Sequence, residues 1–137
     1  MACQTILVVE DNLVNLKLTN VVLRNAGFEV HTATDAEAAL EMLSTLHPDL
    51  MLVDIQLPGM DGLELARRVE EDAATSDIVV VALTAYAMQG DEQRAREAGC
   101  DGYVSKPINT RALPDRLSEY LEQRSAKTAL AASRGAF

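Results

Sequence analysis

The sequence predicts an α/β fold of the doubly wound kind, in which helices cover both faces of a five-stranded parallel sheet. Five apolar runs rich in β-branched residues recur along the chain, and each is followed by a segment with helical spacing. Buried parallel strands have continuous apolar runs rather than alternating ones. Short loops between such elements favour parallel strands with right-handed crossovers. We expect a (βα)5 arrangement with strand order 2-1-3-4-5, which is common among doubly wound folds.

The first half of the chain supplies three strands and two helices. The predicted strands are approximately Thr5–Glu10, Glu29–Thr32 and Leu50–Asp54. A helix over Asn12–Ala26 ends at Gly27, because glycine readily adopts the left-handed conformation that closes a helix. The next helix starts at Asp35, which suits a helix N-cap, and ends near residues 47–48, where a proline follows.

The second half continues the same alternation. The predicted strands are Ile78–Leu83 and Gly102–Ser105. A turn-rich loop over residues 57–62 leads into a helix that ends near Glu71, and another helix over Met88–Ala98 is closed by a glycine. The last helix is capped by Asn109 or Thr110, and its early proline lies where a missing N–H costs least.

The first helix has apolar residues on more than one side. We predict that Val14, Leu18, Val21 and Val22 face the core, and that Leu13, Leu16, Asn20 and Leu23 point elsewhere. Exposed leucines near the end of the sheet would offer a docking surface.

The length and composition indicate one domain, over residues 1–124, and a flexible or helical tail over 125–137. No apolar stretch approaches the ~20 residues needed to cross a bilayer, and no secretory leader is visible, so we expect a cytoplasmic protein without membrane contact. The net charge of −9 disfavours nucleic acid as a partner, because such binding depends on Lys and Arg neutralising phosphates.

Polar residues stand where four of the predicted strands end. Glu10 and Asp11 follow the first strand, Asp54 the third, Thr84 the fourth and Lys106 the fifth. The carboxyl ends of parallel strands meet at one edge of a sheet, where ligands bind in open α/β folds. Each residue alone has an ordinary structural explanation, but all of them at strand ends predict a shared site.

This set of side chains suits phosphoryl transfer. Asp54 is the candidate nucleophile, since a carboxylate can attack phosphorus and form an acyl phosphate. Mg²⁺ would offset the repulsion between the two anions. Asp11 would be a direct ligand, Glu10 a direct or water-mediated one, and the backbone carbonyl of Gln56 a further ligand.

Lys106 would pair with one phosphoryl oxygen as a point charge, and Thr84 would donate its hydroxyl to another. The residue after the lysine is Pro107. A cis Lys-Pro bond would turn the chain sharply and could aim the ammonium group inward, although the sequence does not determine the isomer.

Four segments of the chain resemble the receiver domain of two-component response regulators. They are VVEDN at residues 8–12, VDIQLPGMDG at 53–62, ALTAYAM at 82–88 and AGCDGYVSKP at 98–107. The resemblance extends from Thr5 to about Arg124. Within the family, the chain is similar to stand-alone receivers and to the receivers of hybrid histidine kinases. It implies a flavodoxin-like fold.

The resemblance also implies a function. A histidine kinase or histidine phosphotransfer protein would donate a phosphoryl group to Asp54 with Mg²⁺ in a phosphorelay. Thr84 and Tyr103 would then move and alter the face formed by the fourth helix, fifth strand and fifth helix. Such a protein is a cytoplasmic signalling switch that assists its own phosphorylation and dephosphorylation, not an enzyme with a separate substrate. It would signal through a downstream protein, as a monomer or weak dimer.

The resemblance also implies that Gln56 and Tyr86 overhang the phosphoryl group and tune its lifetime, while the small side chain of Ala85 leaves room for that group. Tyr86 could restrict the approach of hydrolytic water, which predicts a relatively long-lived phosphoryl state.

Three other functions remain as alternatives. A haloacid-dehalogenase-like phosphohydrolase expects a second acid two residues after the nucleophile, where this chain has Gln56. A dinucleotide-binding fold expects a glycine-rich loop where this chain reads EDNLVN. A degenerate receiver would bind partners without being phosphorylated, but this chain retains every chemical residue.

Overall fold

Five parallel strands form one sheet in the order β2-β1-β3-β4-β5, which confirms the predicted topology. The computed structural model describes residues 4–57, 59–84, 89–106 and 108–123. The strands are β1 Thr5–Val9, β2 Glu29–Ala33, β3 Leu50–Asp54, β4 Val79–Thr84 and β5 Gly102–Ser105. Two agree with the predicted bounds at both ends, and the others differ by one residue at one or both ends.

Within these described ranges, five helices alternate with the strands. They are α1 Leu13–Asn25, α2 Ala36–Met42, α3 Gly62–Glu71, α4 Gln89–Glu97 and α5 over residues 113–123. Side-chain oxygens of four residues cap backbone N–H groups at helix starts: Asn12, Asp35, Asp61 and Asn109. Gly27 and Gly99 follow α1 and α4 with positive φ angles of 99° and 95°, as the predicted helix ends require.

The helices pack as two layers against the sheet. One apolar cluster joins α1 and α5 to one face of the sheet, and a second joins α2, α3 and α4 to the other. Every residue of β3 and β4 is buried, as expected for central strands with both faces covered. Of the described helices, none is long and apolar enough to cross a membrane.

The prediction for the end of α2 was wrong. The helix ends at Met42 rather than near residues 47–48. Ser44 N–H and Thr45 N–H donate to carbonyls only three residues earlier, and the Ser44 hydroxyl also donates to the Glu41 carbonyl. Hydroxyl side chains compete for backbone groups in this way, so the α-helix tightens into turns before the proline is reached.

The prediction for the faces of α1 was also wrong. Leu23 is buried, and Leu16 and Val22 pack against the core, whereas Val14, Leu18 and Val21 are exposed together with Leu13. The core face also includes Thr19, which is 1% exposed and donates its hydroxyl to the Asn15 carbonyl 2.8 Å away. Because this polar residue belongs to the core face, the spacing of apolar residues alone did not identify which side of α1 faces the core. Leu13, Asn20 and Val22 lie where they were predicted, Asn20 with its side chain bonded to Arg24 rather than in the core.

Candidate functional site

The carboxyl ends of the strands place the predicted site residues at one edge of the sheet. Val9 is level with Val53, so Glu10 emerges beside Asp54. Thr84 is level with Ser105, so Lys106 emerges just beyond Thr84. The side chains of the two central acids are almost fully enclosed, with Glu10 1% and Asp54 2% exposed.

Three carboxylates converge at this edge. One oxygen each from Glu10, Asp11 and Asp54 lies within 4.8 Å of the other two. Asp11 is exposed, so the cluster opens to solvent on its side. An all-oxygen, carboxylate-rich donor set open to water fits Mg²⁺, which keeps several waters when bound to proteins.

Asp54 is held through both carboxylate oxygens. Its Oδ1 accepts a hydrogen bond from the Gln56 backbone N–H at 2.8 Å, and its Oδ2 accepts one from Lys106 Nζ at 2.8 Å. The first bond turns the chain sharply at the end of β3 and leaves the Gln56 side chain exposed. The role of the Gln56 carbonyl as a metal ligand stays a prediction.

Lys106 joins the two buried acids. Its Nζ lies 2.8 Å from Asp54 Oδ2 and 3.3 Å from Glu10 Oε1. Its backbone N–H donates to the Thr84 carbonyl at 2.6 Å, which extends the pairing of β4 with β5 and fixes the origin of the side chain. The ammonium group thus lies where a phosphoryl group on Asp54 would need a counter-charge.

The pKa values of the three groups are shifted in different directions. Burial, together with hydrogen bonding and charge from Asp54, raises the pKa of Glu10 to about 7. Burial acts to raise the pKa of Asp54, but the neighbouring Glu10, the Lys106 ammonium group and the Gln56 N–H lower it overall. Burial acts to lower the pKa of Lys106, but the contacts with both acids raise it overall. Asp54 is therefore the acid that stays ionised.

The two residues predicted to move have different surroundings. Thr84 is fully buried, and its hydroxyl has no hydrogen-bond partner among the described residues. Tyr103 is half-buried against the α2–α4 side of the sheet and lines a surface pocket of about 210 Å³ together with Tyr120. The Tyr103 carbonyl accepts hydrogen bonds from Arg116 and Tyr120, which fasten β5 to α5.

Sequence reasoning missed two residues that shape this site. Asn15 Nδ2 donates to Glu10 Oε1 at 3.2 Å, and the signal for it is an amide on the first turn of the helix that follows the acidic pair. A Cβ on Gly62 would clash with the Asp54 carbonyl oxygen, so α3 starts directly against the backbone of Asp54. The signal for this glycine is its position directly after the Asp61 cap, where no turn requires it.

Ala85, Tyr86 and Pro107, together with the predicted tail over 125–137, lie outside the described residues. Their predicted roles therefore stay predictions.

A sequence model of the response regulator receiver domain matches residues 6–118. The chain belongs to the response regulator receiver family. This receiver is 39% identical over 118 residues to the polar-differentiation response regulator DivK of Brucella ovis, a match that covers 86% of this chain and 96% of DivK.

Solved structures agree with this assignment. A CheY-like receiver domain protein from Methanospirillum hungatei superposes with a TM-score of 0.84 at 29% identity, over 92% of this receiver and 99% of that chain. The chemotaxis response regulator CheY4 of Vibrio cholerae gives 0.83 at 25% identity, over 87% and 99%. Membership of this two-component signalling family sets aside the phosphohydrolase and the dinucleotide-binding fold as alternatives.

Proposed function

We propose that this receiver accepts a phosphoryl group on Asp54 from the phosphohistidine of a kinase or phosphotransfer protein and then signals through a protein contact. The observation that carries the proposal is the position of Asp54, a buried carboxylate between an acidic cluster and Lys106. The contacts of these side chains support the roles proposed for each residue below.

Asp54 would act as the nucleophile. One of its oxygens forms the new bond to phosphorus, and the bond from phosphorus to the donor imidazole nitrogen breaks with its electron pair going to that nitrogen. The lowered pKa of Asp54 keeps the carboxylate ionised for the attack. The Gln56 N–H holds Oδ1 at 2.8 Å, so the other oxygen is the one that must leave Lys106 to react.

Glu10, Asp11 and Asp54 would hold the divalent cation, with the Gln56 carbonyl completing the protein ligands. When bound, Mg²⁺ offsets the negative charge that accumulates on the transferred group. Support comes from the donor set itself, because Glu10 Oε2 is buried without a partner in the described part of the chain. Such an oxygen is costly unless a cation or proton meets it.

Lys106 and Thr84 would bind the new phosphoryl oxygens. Lys106 already contacts Asp54, and the buried Thr84 hydroxyl has no competing partner in the described chain. A phosphoryl group would give that hydroxyl an acceptor and draw it toward Asp54. Tyr103, two residues before the level of Thr84 in β5, would follow, and the face of α4, β5 and α5 would change.

The exposed apolar residues of α1 would receive the helical partner that carries the phosphodonor histidine. Leu13 and Val14 are 69% and 77% exposed, and Leu18 and Val21 continue the same stripe along the helix. The stripe begins two residues after Asp11, so a helix packed on it would reach the edge of the sheet that holds Asp54. This stripe replaces the docking residues predicted from the sequence.

The residues that would set the phosphoryl lifetime are Gln56, Ala85 and Tyr86. A bulky Tyr86 beside the phosphoryl group would exclude one direction of water attack. Pro107 would keep Lys106 directed inward. We retain these roles as proposals from the sequence.

The test is intact-mass measurement after incubation with Mg²⁺ and acetyl phosphate. We expect one phosphoryl adduct that is stable in acid and labile to base and hydroxylamine, as an acyl phosphate is. Asp54→Asn should carry no adduct. Asp49→Asn is the matched control, because Asp49 is a carboxylate at the opposite edge of the sheet, and it should be labelled like the wild type.

Labelling of Asp54→Asn, or no labelling of the folded wild type by acetyl phosphate or by any cognate phosphohistidine protein, would contradict the proposal. The second result would favour the degenerate receiver, which binds partners without accepting phosphate.

A further inference from the structure

Asn15 lies on the first turn of α1, where two contacts fix its backbone. The Asn12 side chain accepts hydrogen bonds from the N–H groups of Val14 and Asn15, both at 3.0 Å. The Asn15 carbonyl in turn accepts the buried hydroxyl of Thr19. The amide side chain therefore projects from a capped helix start rather than from a loop.

The Asn15 amide donates to only one of the two oxygens of Glu10. Oε1 accepts from Asn15 Nδ2 at 3.2 Å and from Lys106 Nζ at 3.3 Å. Oε2 accepts from no donor within the described residues, although the side chain is 1% exposed. The donors therefore make the two oxygens of this carboxylate unequal.

The two donors to Oε1 differ in what they can do later. Lys106 also bonds Asp54, and under the proposed function it turns to a phosphoryl oxygen. Asn15 has no charge to be drawn toward the phosphoryl group, and its helix start is capped. Among the described donors, Asn15 is thus the one that remains on Glu10 when Lys106 leaves.

We propose that Asn15 is a positioning residue that holds Oε1 of Glu10 and thereby presents Oε2 to the divalent cation before and after phosphorylation. This inference rests on the proposed function. An amide suits the task because it orients the carboxylate without cancelling the negative charge that attracts the cation. Hydrogen-bond partners of metal ligands generally act in this way, and losing one costs 10–100-fold in affinity.

The test compares cation affinities of the unphosphorylated full chain. Free Mn²⁺ is measured by electron paramagnetic resonance, and Mg²⁺ is then measured by competition. We expect Asn15→Leu, which has a similar size but no donor, to bind both cations about tenfold more weakly. Asn20→Leu on the same helix is the matched control, because Asn20 bonds Arg24 and not the site, and its affinity should equal that of the wild type.

A second readout separates positioning from loss of structure. In acetyl phosphate labelling, Asn15→Leu should need about tenfold more Mg²⁺ for half-maximal rate and should approach the wild-type rate at saturating Mg²⁺. Asn15→Gln, which restores a donor, should recover part of the affinity. Should Asn15→Leu fail to fold, Asn15→Ala, which also lacks a donor, takes its place.

Affinities of Asn15→Leu within twofold of the wild type, in a folded protein, would overturn the inference. A wild type that binds neither cation and is not labelled would instead overturn the proposed function. The two failures are therefore distinguishable in one set of measurements.

Discussion

Acidic residues have opposite surroundings at the two edges of the sheet. At the amino ends of the strands, Asp49 donates its N–H to the Thr5 carbonyl and accepts the Thr5 N–H on Oδ2, both at 2.8 Å. Asp101 repeats this exchange with Val80, at 2.7 and 2.8 Å. At the carboxyl ends, Glu10 and Asp54 are enclosed together, and one Glu10 oxygen has no partner in the described chain.

The difference shows at which edge the burial of acidic side chains lowers the stability of the fold. An aspartate just before a strand pairs with the backbone of the neighbouring strand and completes the sheet. An acid just after a strand faces another acid, and its burial is unfavourable until a cation arrives. The amino edge therefore stabilises the fold, and the acids buried at the carboxyl edge lower its stability.

The largest effect on stability should come from a methyl group placed against the backbone at the carboxyl end of β3. In Gly62→Ala the new Cβ would clash with the carbonyl oxygen of Asp54 and lie 2.7 Å from the Cα of Ile55. Because backbone cannot turn aside as a side chain can, we expect a loss of about 3 kcal/mol or more in the free energy of unfolding by urea. Labelling by acetyl phosphate should fall as well.

Gly27→Ala is the control for glycine replacement as such. Gly27 has a positive φ of 99° but no atom within 4 Å of a new Cβ, so the variant should lose only about 1 kcal/mol. Equal losses in the two variants would show that contact with the Asp54 backbone does not matter.

The pH dependence of stability should come next in size. The pKa of Glu10 is about 7 in the fold against 4.5 for an ordinary glutamate, so the metal-free fold binds more protons than the unfolded chain between these values. The free energy of unfolding without Mg²⁺ should therefore fall as the pH rises from 4.5 to 7, by at most about 3 kcal/mol. Asp54, whose pKa is lowered, acts oppositely, but at pH values near and below 3.8.

The measurement is urea unfolding across this pH range, with Glu10→Gln as the control. The variant should be flatter between pH 4.5 and 7, because its amide does not titrate. Saturating Mg²⁺ should reverse the trend in the wild type, since the cation requires ionised carboxylates. A wild-type profile no steeper than that of Glu10→Gln would contradict the assigned pKa.

A third prediction contrasts the sign of two substitutions. Asp49→Ala leaves the Thr5 N–H without its acceptor and should lose about 1–2 kcal/mol of stability. Glu10→Gln removes a buried charge beside Asp54 and should gain about 1 kcal/mol in metal-free protein at pH 8. Cation binding should be kept in the first and lost in the second. If both variants changed stability in the same direction, the proposed difference between the two edges would be wrong.

The smallest effect should be that of the exposed stripe on α1. Val14→Ser with Leu18→Ser changes side chains that are 77% and 41% exposed, so stability should move by about 0.5 kcal/mol or less. Labelling by acetyl phosphate should be unchanged, whereas transfer from a phosphohistidine protein should slow. Equal slowing with both donors would exclude a docking role.

The sheet was predictable because central strands such as β3 and β4 are unbroken apolar runs, and their ends place Asp54 and Thr84 by geometry alone. The faces of α1 were not predictable, because Thr19 is buried only through a hydrogen bond to its own helix. The length of α2 was missed for a related reason, since Ser44 competes for helix carbonyls. Likewise, the contacts of Asn15 and Gly62 depend on how α1 and α3 dock, which composition and spacing do not specify.

The contact between Lys106 and Glu10 joins positions 96 apart in the chain. A growing polypeptide leaving the ribosome would already carry Glu10, Asp11 and Asp54. Lys106 would emerge only when most of the domain has been made. Asp54 and Lys106 thus meet at the end of synthesis rather than during it. A truncated or partly translated chain would not complete the proposed phosphoryl site, so a signal could be received only by a finished receiver.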